Sequence, residues 1–331
     1  MLFNFCEGNL LAQNKIIDSL LNVVRIAKED TSKLKTLTLL SRKYFDKSDF
    51  GEAIRYSDEA LATADRILDA NDNRDASVTL ATQKYKVTGW YNKSIIYTAE
   101  GNYTEALKYN TLALKMAESI GDKRKIAVSY YMFGLIYSNT FNNDESLRNC
   151  EIALKICEGI NDNSLYGIIA TLAGQVSGIK GYYQDALKYH KSALKAREEI
   201  GDKMMMSYSH IHIANDYSSQ GDFGGSIRHN LLAIKIKEEI GDILGLGRAY
   251  NNIGIDYKNQ GIYSEALKCY LNALKYKKQA IYNKDILPGD NNDIAHTYIN
   301  IGTVYEDIGN LTEAMNNYAN ALKVSEEAKD N

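Results

Sequence analysis

The chain has 331 residues, 45% hydrophobic and 24% charged, which suits an ordinary folded protein and excludes disorder and collagen-like structure. Its 39 basic and 42 acidic residues leave a formal charge of -3, so no overall positive field draws it to nucleic acid. Four cysteines (Cys6, Cys150, Cys157, Cys269) have neither metal-ligand spacing nor disulfide density. A single proline, Pro288, leaves long helices uninterrupted, and the expected class is all-α.

Residues 1–32 read as a lead-in. The opening "MLFNFCEGNLLAQNK" ends as a secretory leader would, but Asn4, Glu7, Gly8 and Asn9 break its apolar core and no basic start precedes it. Residues 1–13 are therefore either a signal-peptide remnant or an ordinary frayed terminus. The expected location is cytoplasmic, with the periplasm as the alternative if a signal peptide has been lost. No run of about 18 apolar residues occurs, so no membrane span is expected.

From residue 33 onward one unit recurs seven times. Small residues share a first site (Ser41, Ser94, Gly134, Gly174, Ala214, Gly254, Gly302), a second (Ala53, Ala106, Ser146, Ala186, Ser226, Ala266, Ala314) and a third (Ala60, Ala113, Ala153, Ala193, Ala233, Ala273, Ala321). From Gly134 to Gly254 the period is 40. Glycines 101, 181, 221, 261 and 309 open a turn between the first and second sites, with apolar residues at helical spacing on either side. Each unit is thus two helices joined by a bend, and the small sites mark where axes about 8–10 Å apart come nearest. Tyr44, Tyr97, Tyr137, Tyr217, Tyr257 and Tyr305 recur three residues after the first site and read as packing. Gly121, Gly201 and Gly241 are placed to end helices in the left-handed conformation, and Asp122, Asp202 and Asp242 to cap the next ones. The spacing stretches to 53 residues between Ser41 and Ser94 and to 48 between Gly254 and Gly302, which puts insertions near 71–77 and 283–293.

The order Tyr250, Ile253-Gly254, Tyr257, Ala266, Tyr270, Ala273, with Trp90 at the first aromatic site of an earlier copy, resembles the tetratricopeptide repeat. The resemblance runs from about Lys33 to Lys329. Lys93 and Ala173 depart from the usual leucine and Phe141 from the turn glycine. The lengthened unit is similar to the Leu-Gly-Asn repeat adaptors and, more closely, to sensory regions that precede output domains in bacterial signalling proteins. The resemblance implies a right-handed α-solenoid of about seven antiparallel helix pairs over 33–331, with a concave groove lined by the first helix of each pair.

Counting along those helices places Arg42, Tyr91, Asn92, Tyr131, Tyr208, His212, Asn215, Arg248, Asn251, Asn252, His296 and Asn300 on the groove, with Lys258 one turn further. Asparagine suits an extended peptide because it donates and accepts at once. Arg248 and Lys258 suit a carboxylate. The competing reading is that Asn92, Asn252 and Asn300 tie neighbouring helices together. Of the family's carboxylate-clamp sites Asn215 and Asn252 match, while Ile211, His296 and Asn300 stand where cations are needed.

Catalysis is not expected. The histidines at 190, 210, 212, 229 and 296 form no metal spacing, His210 and His212 lying about 200° apart around a helix, and no phosphate loop or nucleophile elbow appears. No cofactor is implied. Leu311, Met315, Tyr318 and Leu322 line the last helix where another repeat would stack, which points to a continuing chain or a homodimer through that helix. The functional expectation is a protein or peptide interaction module, with the regulatory portion of a larger bacterial signalling protein as the alternative.

Overall fold

The computed structural model describes residues 10–70, 75–283 and 292–327. Cys6, Pro288, most of the expected 71–77 insertion, the core of the 283–293 loop and residues 1–9 of the supposed leader lie outside them. The described residues form fifteen α-helices and no strand. They divide into two compact units, Met1–Lys180 and Gly181–Asn331.

Unit one holds α1 (Leu10–Ile26), then α2 (Thr31–Asp46) with α3 (Phe50–Asp69), α4 (Ala76–Ala99) with α5 (Tyr103–Ser119), α6 (Lys123–Asn139) with α7 (Asn143–Ile160), and α8 (Asn163–Ile179). Unit two holds α9 (Tyr183–Ile200), then α10 (Lys203–Ser219) with α11 (Phe223–Ile240), α12 (Ile243–Asn259) with α13 (Tyr263–Tyr282), and α14 (Asn292–Asp307) with α15 (Leu311–Glu327). Within each unit every helix packs on the next, and the first helices of successive pairs also meet, as α2 with α4 and α12 with α14.

The punctuation read from the sequence is the punctuation seen. Gly121, Gly201 and Gly241 have φ of +66°, +70° and +73°. The carboxylates of Asp122, Asp202 and Asp242 then accept from the amides of Lys125, Met205 and Gly245 at 3.0, 3.0 and 2.8 Å. Phe141, at a turn-glycine site, takes the same left-handed conformation with φ +57°.

Alanines of the second and third small columns are buried throughout. Where serine replaces glycine or alanine, its hydroxyl bonds across the helix contact, Ser94 Oγ to Ala106 O at 3.0 Å and Ser146 Oγ to Gly134 O at 2.7 Å. The recurrent tyrosines are half-buried, and two of them stack on a tyrosine of the second helix, Tyr44 on Tyr56 at 5.3 Å and Tyr97 on Tyr109 at 5.6 Å.

At Gly254 the approach is closest to an aromatic. A methyl group there would come within 2.6 Å of the Tyr270 ring, and at Gly302 within 2.5 Å of the Tyr318 ring. Tyr270 is wholly enclosed and cannot yield, whereas Tyr318 is partly exposed and can swing outward. Gly254→Ala is therefore expected to cost about 1–3 kcal/mol of overpacking, only partly offset by the better helix propensity of alanine. Gly302→Ala costs less, and urea midpoints of the two variants should rank in that order.

Candidate functional site

The first helices carry the expected groove residues, and the structure sorts these into three kinds. Some are spent inside the protein. Tyr91 is buried, its hydroxyl donating to Lys125 O and sharing a 3.0 Å hydrogen bond with Ser129 Oγ. Asn92 is buried too, with Nδ2 donating to Thr38 O at 2.9 Å, so it ties α4 to α2.

A second kind links α12 to α14. Arg248 Nε donates to Asp293 Oδ2 at 2.7 Å, Asn300 Nδ2 donates to Asn251 Oδ1 at 3.1 Å, and Lys258 Nζ lies 3.6 Å from Asp307 Oδ2. These three contacts follow one another along the helix pair as a polar ladder. The tying role weighed for the asparagines holds for Asn92 and Asn300.

The third kind keeps polar atoms available. Asn215 and Asn252 make no side-chain hydrogen bond among the described residues, and Asn215 is exposed. His296 is exposed, and Tyr131 is half-buried. Arg42 is exposed, pairs within its own helix with Asp46 at 3.3 Å and covers the Phe45 ring.

Beneath the ladder lies a column of buried cations that the sequence reading missed. Residues 117, 157, 197, 237 and 277 share one register, and the series runs Ala, Cys, Arg, Lys, Lys. Lys237 is fully enclosed, with Nζ 2.6 Å from Asp242 Oδ2 and over the Tyr208 ring at 4.2 Å. Lys277 donates to Asp293 O at 2.9 Å and to Thr297 Oγ1 at 2.8 Å. Gly245 and Gly247 of α12 make room for both: a methyl group on Gly245 would meet Lys237 Nζ at 2.5 Å, and one on Gly247 would meet Lys277 Cγ at 2.7 Å. Burial lowers the pKa of the Lys237 amine, against the pull of Asp242, and takes that of Lys277 to about 8. Burial also raises the Tyr208 phenol to about 12, with Asp242 adding to the rise.

A second register breaks similarly. Ile136 and Val176 give way to Asp216 and Asp256, both buried. Asp256 accepts from Ser218 Oγ at 2.7 Å and Ser226 Oγ at 2.5 Å, and burial raises its pKa against those bonds. Reading the columns for polarity as well as size would have found both series. Among the described residues no group of three or more His, Cys, Asp or Glu is placed to hold a metal ion, and no helix is long and apolar enough to cross a membrane.

On the last helix Leu311, Met315 and Leu322 are exposed as expected. Tyr318 is not on that face: its ring packs at Gly302 and its hydroxyl donates to Glu306 Oε2 at 2.7 Å.

A tetratricopeptide-repeat family model matches residues 87–120 and 295–327, and a second model of the same repeat matches 246–281. No curated protein matches the sequence. Among solved structures, the signal-transduction ATPase with a tetratricopeptide repeat sensor from Pyrococcus horikoshii superposes with a TM-score of 0.67 at 17% identity, over 96% of this chain and 47% of that one. Apo RapI gives 0.59 at 13% identity over 90% and 100% of the two chains. The apo quorum sensor NprR from B. thuringiensis gives 0.54 at 13% identity over 95% and 99%. The matched segments fall in both units and in register with the remaining helix pairs, so the chain carries tetratricopeptide repeats in each unit.

Proposed function

We propose that the chain is a regulatory interaction module whose first-helix face in unit two, made by α10, α12 and α14, receives an extended peptide or partner segment. The observation that carries this reading is the α12–α14 ladder: Arg248, Asn251 and Lys258 are locked to α14, while the amides of Asn215 and Asn252 remain without side-chain partners. Locked neighbours make a rigid floor, and an unpartnered amide beside it can bond a peptide backbone in both directions. The quorum sensor NprR and the ATPase with a tetratricopeptide repeat sensor share the fold, and a regulatory role reaches this chain from them by analogy of fold.

Capture from native lysate by the wild-type chain and by the Asn215→Ala, Asn252→Ala double variant tests the reading. Neither amide supports the fold, so the variant stays folded and loses the partner, with affinity down tenfold or more for two lost hydrogen-bonding groups. A partner held equally by both moves recognition off this face.

A second reading, the sensory portion of a larger signalling protein, is favoured by the way 96% of this chain aligns with 47% of the sensor-bearing ATPase. The intact mass of the native protein separates the two. A mass near 37.1 kDa selects the stand-alone module, and a larger one the sensory portion.

A further inference from the structure

α10 is gripped on both flanks by paired imidazoles. On one flank His212 stacks on His190 of α9, with ring centroids 5.0 Å apart and planes 18° from parallel. His190 Nδ1–H donates to Asp216 Oδ2 at 2.6 Å, and its Nε2 is buried with no hydrogen-bond partner among the described residues. On the other flank His210 Nδ1 lies 3.1 Å from Nδ1 of His229 on α11, and His229 also stacks on Tyr217 at 5.5 Å. The two pairs sit on opposite faces of α10 and involve separate neighbours.

The chemistry of each pair has a protonation limit. A contact of 3.1 Å between two ring nitrogens needs one N–H and one lone pair, so the His210–His229 pair holds with at least one ring neutral. In the other pair a proton on His212 would set a cation against the stacked ring of His190 and near the buried Arg197, with no carboxylate bonded to His212 itself. The surroundings supply little relief. α9 adds Lys191, which donates to Tyr217 Oη at 3.0 Å, and the buried Arg197; α11 adds Arg228; α12 adds one carboxylate, Asp256, already held by Ser218 and Ser226.

We propose that the two histidine pairs form an acid-released clasp, which below neutral pH opens the α9–α10 and α10–α11 contacts while α13, α14 and α15 stay packed. Burial takes His212 down to about 3, with His190 and Arg197 adding to the fall, and His210 down to about 4, with His229 adding. Burial lowers His229 as well, helped by Lys191 and Arg228. Each folded value lies below the ordinary 6.5, so the opened chain binds more protons and the clasp loses stability as pH falls from about 6.5 toward 4. For an imidazole moving between 4 and 6.5, opening at pH 5 is favoured about thirtyfold. The clasp works whether or not the α10 face binds a partner.

Amide hydrogen exchange on the full chain at pH 7.5, 6 and 5, corrected for the intrinsic exchange rate, tests it. The expected result is a rise of tenfold or more in opening across α9–α11 between pH 7.5 and 5, with less than a twofold change in α13–α15. The His210→Phe, His212→Phe variant keeps a ring at both contacts and should lose most of that rise. A uniform rise through unit two, or an unaltered profile in the variant, overturns the proposal. If the variant does not fold, imidazole C2–H titration of the wild type decides by NMR: two histidines titrating below pH 5 support the clasp, and all five titrating between pH 6 and 7 refute it.

Discussion

Asp242→Ala is expected to destabilise the α11–α13 region by about 3–5 kcal/mol, more than the loss of a helix cap explains. Asp242 performs two tasks with its two oxygens. Oδ1 accepts from the Gly245 amide at 2.8 Å and caps α12, while Oδ2 holds the enclosed Lys237 ammonium at 2.6 Å. The cap alone is worth about 0.5–2 kcal/mol. Removing the carboxylate also leaves a buried ammonium without its counter-charge, which costs more than the cap. The lysine limits that cost by giving up its proton: from an ordinary value of 10.5, deprotonation at pH 7 costs about 5 kcal/mol at most. Asp242→Asn keeps the cap oxygen yet still strands Lys237, so it should fall between alanine and wild type. Combining Asp242→Asn with Lys237→Met removes the stranded charge and should recover most of the loss. Urea unfolding of the full chain, with hydrogen exchange read on α11–α13, measures the series. Equal losses for alanine and asparagine, with no recovery in the double variant, would sink the account.

The same residues show how far the sequence could be read. Asp242 as a cap was legible because a Gly-Asp step fixes backbone conformation, and backbone conformation depends on a few neighbouring residues. The small columns were legible for a similar reason, since a 40-residue period reports each close contact several times. Side-chain partnership was not. Asn92 and Asn215 look alike in the sequence, yet Thr38 O of a neighbouring helix lies within reach of one and nothing comparable meets the other. Asp293, which pairs with Arg248, lies within the irregular 48-residue step, so the period does not point to it. Sequence spacing places Tyr318 on the apolar face of the last helix with Leu311, from which it is seven residues distant. It is four from the buried Ala314, and the space above Gly302 decides in favour of that side. A lysine is ordinarily solvated, so for the buried Lys237 and Lys277 only the shared register with Ala117 and Cys157 marks them as interior.

Lys277→Met is expected to stabilise unit two, by about 1–3 kcal/mol at pH 7, although it deletes two hydrogen bonds. Lys277 and Lys237 occupy one register, but their partners differ in kind. The Lys277 ammonium bonds only neutral acceptors, Asp293 O and Thr297 Oγ1, while the Asp293 carboxylate is taken by Arg248 at 2.7 Å. Burial, only partly countered by Asp293 and reinforced by Arg248, lowers its amine from 10.5 to about 8. The folded value lies below the unfolded one, so the unfolded chain binds more protons between pH 8 and 10.5 and stability rises with pH across that window. Below pH 8 the side chain is therefore a standing deficit of about 3 kcal/mol. Methionine is unbranched, follows the same channel past Gly247 and carries no charge, and Thr297 Oγ1 still donates to Asp293 O at 2.9 Å without the lysine. The wild-type Tm should climb from pH 8 to 10, and the variant should start higher and show a flatter climb. A lower Tm in the variant at pH 7 would show that the ammonium holds α13 to α14 more strongly than its burial costs. The expected gain means instead that unit two tolerates a destabilising cation directly below Arg248, Asn251 and Asn300, as befits a group retained for the field it projects onto that face.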